Sequence, residues 1–198
     1  MNIGEVRQLY YREGLSAREV GERLGKSVWQ VIKFMRKNQI PRRQASETQR
    51  IQFQKRPLSY QKKQRLSQLE YRLHEAGLML YWAEGVKSGQ STVDLANSDQ
   101  RMIVLFLRVL REIYRVNEGR LRVLLYCYQN QDVSRLIRFW SGLLNIPKHQ
   151  FIKPYVRRDF DLNKTNRMPH GLVHIRYNDK RLYSQILEDI DIIVSDLS

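Results

Sequence analysis

Gly77-Leu78-Met79-Leu80-Tyr81-Trp82-Ala83-Glu84-Gly85 closes an apolar segment that reads as a helix over residues 66–84. Downstream, Gly89-Gln90 reads as a turn into a strand, Ser91–Ala96. Asn97-Ser98-Asp99 then caps an amphipathic helix carrying Ile103, Phe106, Leu107, Leu110, Ile113 and Tyr114 at helical spacing. A strand follows at Arg120–Tyr128 and a helix from about Asp132 to Leu144, with Phe139-Trp140 inside it, before Pro147 breaks the chain. The remaining pattern is a strand at His149–Val156, a polar, basic loop at Arg157–Pro169, a strand at Gly171–Tyr177 and a helix at Lys180–Ile190. The tail from Asp189 to Asp196 reads either as a helix end or as a short pairing segment. Four strands interleaved with helices predict an α+β domain over 66–198: a four-stranded antiparallel sheet covered by helices on one face. Arg122, Lys153, Tyr155, His174 and Arg176 are candidates for the uncovered face, and a curved basic sheet can sit in a DNA groove.

Upstream, residues 2–13 read as a helix with Ile3, Val6, Leu9 and Tyr10 on one face, ended by Gly14. Ser16 and Glu19 have capping-box spacing at the start of a second helix carrying Ala17, Val20 and Leu24. Gly25 makes the turn, and Ser27 caps a third helix that faces Val28, Val31, Ile32 and Met35 or Phe34 inward. Trp29, Gln30, Lys33, Arg36 and Lys37 are left outward. Pro41 stops that helix and favours an extended chain at Ile40. The Pro41-Arg42-Arg43 arm suits a narrow minor groove, or is a solvated linker. Residues 44–65 read as a basic, Gln-rich connector tracking phosphates, helical from Ser59 onward. The expected organisation is therefore a DNA-binding segment at 1–43, a linker at 44–65 and an α+β domain at 66–198.

Charge sets the class of partner. The chain of 198 residues carries 35 Lys+Arg against 20 Asp+Glu, a net +15. Residues 1–65 hold 16 of the basic residues and 5 of the acids, and 36–65 hold ten basic residues with Glu47 as the one acid. Such a balance points to a polyanion, most commonly nucleic acid. No segment approaches the roughly 18 apolar residues of a membrane-spanning helix, and the first residues carry no apolar signal-peptide core. The single Cys127 excludes an internal disulfide and a cysteine-cluster zinc site. It suits a reducing compartment, so a cytoplasmic, nucleoid-associated protein is expected.

Two resemblances sharpen this. The string Gly14-Leu15-Ser16 through Gly25-Lys26-Ser27-Val28-Trp29-Gln30-Val31 resembles the helix-turn-helix of resolvases and many regulators. In that motif the third helix enters the major groove, so Ser27, Trp29, Gln30, Lys33 and Arg36 are its candidate DNA contacts, followed by Arg42 and Arg43 on the arm. Gln can pair bidentately with adenine, and Lys with guanine. The segment 77–85 resembles the LAGLIDADG motif of homing endonucleases, with Ala83-Glu84-Gly85 at its end. Asn97-Ser98-Asp99, Phe139-Trp140-Ser141, Ile146-Pro147 and Gly171–Tyr177 extend that resemblance across about 70–190.

The second resemblance implies a homodimer through the helix at 77–85 and Mg²⁺ held at Glu84 and Gly85 beside the scissile phosphate. It also implies a basic residue that polarises water, best matched by Lys153, with Arg176 or His174 behind it. Arg122, Tyr155, Arg157, Arg158, Lys164, Arg167, His174 and Arg176 are its candidate DNA contacts. Glu84 departs from the motif's aspartate, and Leu78, Met79 and Trp82 are bulkier than the residues they match. The expected activity is site-specific binding of double-stranded DNA with metal-dependent phosphodiester cleavage. The alternatives are a catalytically silent DNA-binding regulator on the same fold, or an RNA-splicing cofactor. There is no glycine-rich phosphate loop and no Ser/His/Asp arrangement. His74, His149, His170 and His174 are scattered, and Asp94 and Asp99 read as a strand residue and part of a helix cap.

Overall fold

A computed structural model describes residues 1–87, 91–157 and 168–197, and among them lie eight helices and a four-stranded sheet, an α+β architecture. Contacts divide the chain into two units, Met1–Pro57 and Leu58–Ser198. No helix among the described residues is long and apolar enough to cross a membrane.

In the first unit, α1 (Ile3–Arg7) runs on through a widened turn, Gln8–Arg12, whose Glu13 N–H bonds the carbonyl five residues back. Ser16 and Ser27 each close a capping box and so start α2 (Ala17–Leu24) and α3 (Val28–Lys37). Between them the chain turns through Gly25 at φ 62°. The turn lies so close to α2 that a side chain at Gly21 would meet the Lys26 carbonyl at 2.5 Å. Val6, Leu9, Tyr10, Val20, Val31, Met35 and Ile40 form the core of this unit. Ile3 and Val28, expected inward, are each 43% exposed, because each opens its helix beyond the reach of that core.

The basic connector divides differently from the expected 44–65 span. Its first part is α4 (Ala45–Lys55), which buries no residue and is held to the first unit by polar contacts. Gln52 Nε2 donates to Glu19 at 2.9 Å, and Lys55 Nζ to the Glu13 carbonyl at 2.7 Å. Its second part is extended rather than helical and belongs to the other unit: the Gln61 and Lys63 amides bond the Tyr114 and Ile113 carbonyls.

The second unit continues with α5 (Gln68–Glu84), started by a capping box at Ser67. Then come β1 (Val93–Asn97), α6 (Gln100–Arg108) with a widened turn Val109–Ile113, β2 (Leu121–Tyr128), α7 (Val133–Leu144), β3 (Tyr155–Arg157), β4 (Leu172–Tyr177) and α8 (Lys180–Asp196). The expected turn at Gly89-Gln90 lies outside the described residues. Asp189 falls inside α8, which settles the tail as helix through Asp196. α5 crosses the widened turn so closely that a Cβ at Gly77 would stand 2.2 Å from Val109 Cγ2.

The sheet order is β1-β4-β2-β3. β4 pairs antiparallel with both β1 and β2, but β3 pairs parallel with β2, so the sheet is mixed, not antiparallel. The cause is α7: a helix between two neighbouring strands returns the chain to run in the same direction. The expected strand His149–Val156 is likewise shorter. It opens as a helical turn at Lys148–Gln150, makes a parallel bridge from Phe151 to Val123, and pairs regularly only from Tyr155. Val93, Leu95, Leu121, Val123, Leu125, Cys127, Val173, Ile175 and Tyr177 point to the core shared with α5–α8. The alternate residues form the other face.

Candidate functional site

Three surfaces carry the candidate residues. The first is the outer side of α3. Ser27 Oγ accepts from the Gln30 amide at 3.2 Å, and Gln30 Oε1 accepts from the Ser27 amide at 2.9 Å. A bidentate contact to adenine needs both ends of the Gln amide. In this structure the cap holds one end, and Ser27 and Gln30 together start α3. Trp29 instead stands 65% exposed with Lys33 Nζ 5.0 Å from its ring centre, and Arg36 and Lys37 extend the same exposed stripe. Arg42 is exposed, whereas Arg43 turns inward, against the expected arm. Its guanidinium lies 4.1 Å over the Tyr10 ring and donates to the Leu15 carbonyl, and its amide bonds the Tyr10 hydroxyl. Stacking on a buried tyrosine makes Arg43 part of the fold.

The second surface is the sheet face turned away from the core. Strand register sets its rungs: Asp94, Arg176 and Arg122 in one, then Ala96, His174 and Leu124, then Leu172, Tyr126 and Tyr155, then Tyr128 and Arg157. Asp94 is 8% exposed, with Arg176 Nε at 2.7 Å from one carboxylate oxygen and His174 Nδ1 at 2.8 Å from the other. It is the one acid among the described residues of that face, and its charge is thus matched locally. Arg122 is exposed and is steadied by the Gly119 and Leu121 carbonyls. Tyr155, Tyr126 and His174 form a column of rings with centres 4.8 and 4.9 Å apart. The structure therefore brings together Arg122, Tyr155, Arg157, His174 and Arg176, and adds Asp94 and Tyr126, which sequence reasoning left out of the site. Their signal was the alternation of the strands, readable only once register was known. Arg158, Lys164 and Arg167 lie outside the described residues.

The third surface is the C-terminal end of α5. A carboxylate there opposes the helix dipole, at a cost of about 0.3–1 kcal/mol, yet Glu84 is the last helical residue and is exposed. Gly85 has no room for a side chain: a Cβ would stand 2.5 Å from the Tyr81 carbonyl and 2.6 Å from its ring. The turn is clamped by the Gly85 amide on the Tyr81 carbonyl at 2.8 Å, the Tyr81 hydroxyl on the Val86 carbonyl at 3.0 Å, and a bridge from Gly85 to Leu95. Burial raises the Tyr81 phenol, keeping it a donor. Lys87 Nζ bonds the Trp82 carbonyl, and the Lys87 carbonyl accepts from Tyr183 at 2.7 Å.

Carboxylate and carbonyl oxygens at a negative helix end suit a hard cation. One copy of the chain supplies a single such carboxylate, and no group of three or more His, Cys, Asp or Glu side chains among the described residues could hold a metal. Lys153 is not beside Glu84. Gly85 bridges the outer side of β1 at one edge of the sheet, while Lys153 precedes β3 at the other, so four strand spacings of about 4.8 Å separate them. Lys153 instead lines a groove of about 390 Å³ with Arg138, Lys148 and Phe151. Lys87 is a basic residue three positions after Glu84. Compared with family models, with curated proteins and with solved structures, the chain matches none.

Proposed function

We propose that this protein binds double-stranded DNA at specific sites and, as a homodimer, cleaves its phosphodiester backbone with a divalent metal. What carries the reading is the sheet face turned away from the core, where Arg122 and Arg176 share a rung and the one acid among the described residues, Asp94, is already matched by Arg176 and His174. A cationic face of this kind neutralises phosphates and releases their counterions. The second support is the N-terminal unit, in which α2, a tight turn and α3 act as a helix-turn-helix that lays Trp29, Lys33 and Arg36 in the major groove. A third is the outer side of α5, where Ala76, Trp82 and Ala83 are exposed and Met79 half-buried, leaving an apolar seam for a second copy.

In the dimer, Glu84 and the Gly85 carbonyl of each copy would hold Mg²⁺, with Lys87, three residues further on, as the basic residue in place of Lys153. A bound Mg²⁺ would supply water activation and charge neutralisation at the leaving oxygen. Clamping of the turn by Tyr81 fixes the backbone that carries Glu84. A library of duplex sites incubated in Mg²⁺ tests the proposal. Glu84→Gln should bind as the wild type does and cut nothing. Failure of the wild type to bind any duplex at low ionic strength sinks the reading. Binding without cleavage in Mg²⁺ and Mn²⁺ selects the silent regulator, a reading favoured by the distance of Lys153 from Glu84.

A further inference from the structure

The sheet face carries more than charge. Tyr155, from β3, is 54% exposed and lies at the outer end of a three-ring column. Behind it stands Tyr126 from β2, with centres 4.8 Å apart and planes 36° from parallel, and behind that His174 from β4, at 4.9 Å and 33°. His174 cannot swing away, because Asp94 holds its Nδ1 at 2.8 Å. The column is therefore fixed at its inner end by an ion-paired rung and ends outward in a half-exposed ring. Cations border it on both sides: Arg122 and Arg176 two rungs below, and Arg157 one rung above.

A base pair inside a duplex has both faces covered by its neighbours and shows a protein only its edges. An aromatic ring can take a base face only where that base is unpaired or unstacked. A fixed aromatic column flanked by guanidinium groups is thus matched to a strand whose bases are free, with phosphates tracked by the arginines. We infer that this face takes a single-stranded nucleic-acid segment, one of whose bases stacks on Tyr155 as a fourth layer of the column. The inference rests on the nucleic-acid reading of the sheet face and narrows it to a substrate with unpaired nucleotides.

Binding of the whole protein to oligo(dT) and to a random-sequence duplex, for the wild type, Tyr155→Ala and Tyr155→Phe, tests this. Tyr155→Ala should weaken oligo(dT) binding by roughly five- to a hundredfold, the effect of losing one base–aromatic stack, and weaken duplex binding much less, because a duplex offers the ring no free base face. Tyr155→Phe should bind oligo(dT) like the wild type, because the ring and not the hydroxyl makes the contact. A 2-aminopurine placed within the strand should be quenched by the wild-type protein, a readout that does not depend on any variant folding. The inference is overturned by no oligo(dT) binding, by an unquenched 2-aminopurine, by equal losses on both nucleic acids in Tyr155→Ala, or by loss in Tyr155→Phe. Absence of duplex binding together with Tyr155-dependent oligo(dT) binding would remove the duplex proposal and keep this one.

Discussion

Asp189 tests how the basic stretch after Pro57 is held. The side chain is 4% exposed in the core of the second unit. It accepts from Lys62 at 2.5 Å and Tyr114 at 2.6 Å, with Gln185 at 3.2 Å and His74 Nε2 at 3.6 Å. Burial alone would raise its pKa, but the bonds from His74, Lys62 and Tyr114 outweigh burial and hold it at about 2. The gap from the ordinary 3.8, at about 1.36 kcal/mol per unit, is worth about 2.5 kcal/mol of stability. Because the folded value lies below the unfolded one, that stability is fully present above about pH 5 and drains away as pH falls toward 2.

Asp189→Asn keeps the shape and removes the charge. Removing one partner of a buried pair costs about 3–5 kcal/mol. Lys62 keeps 29% exposure and can turn to water, so a loss of about 2–3 kcal/mol at pH 7 is expected. Urea unfolding from pH 7 to pH 2 checks both numbers, with the slope against urea unchanged. The wild type should lose about 2 kcal/mol more than Asp189→Asn between pH 5 and pH 2. A variant as stable as the wild type at pH 7, or parallel pH curves, would refute the reasoning.

Gly77→Ala should destabilise the second unit by about 1–3 kcal/mol through its clash with Val109; thermal unfolding should recover part of that loss when Val109→Ala is added. Gln30→Ala should lower the stability of the first unit by about 1 kcal/mol through the cap, with discrimination among duplex sites little changed in competition binding. Arg42→Ala should flatten the salt dependence of duplex binding by about one phosphate contact. Arg43→Ala should leave that slope alone and lower the melting temperature instead, because its guanidinium is packed on Tyr10.

Helix starts were legible because their signals are local. Ser16 with Glu19 forms a box within four residues, as expected, and Asp99 caps α6. The α5 helix and its abrupt end at Gly85 were also written in consecutive residues. What could not be read was partnership at a distance. Lys62 and Lys63 look like phosphate contacts in a basic run, yet Asp189 and Glu70 take them, the first across 127 positions. Arg43 finds Tyr10 across 33 positions, and Asp94 finds Arg176 across 82. The direction of β3 was hidden for a related reason: alternation shows that a segment is a strand but not which way its neighbour runs.

The outer edge of the sheet has a bearing on how copies of this chain can meet. A bare edge strand invites another sheet to join it, the first step toward aggregates. Here β3 offers only three residues, follows a proline with no amide hydrogen to donate, and is bracketed by Lys153 and Arg157. Two such edges brought together would pair like charges over too short a ladder to hold. Self-association by strand addition at β3 is thereby discouraged.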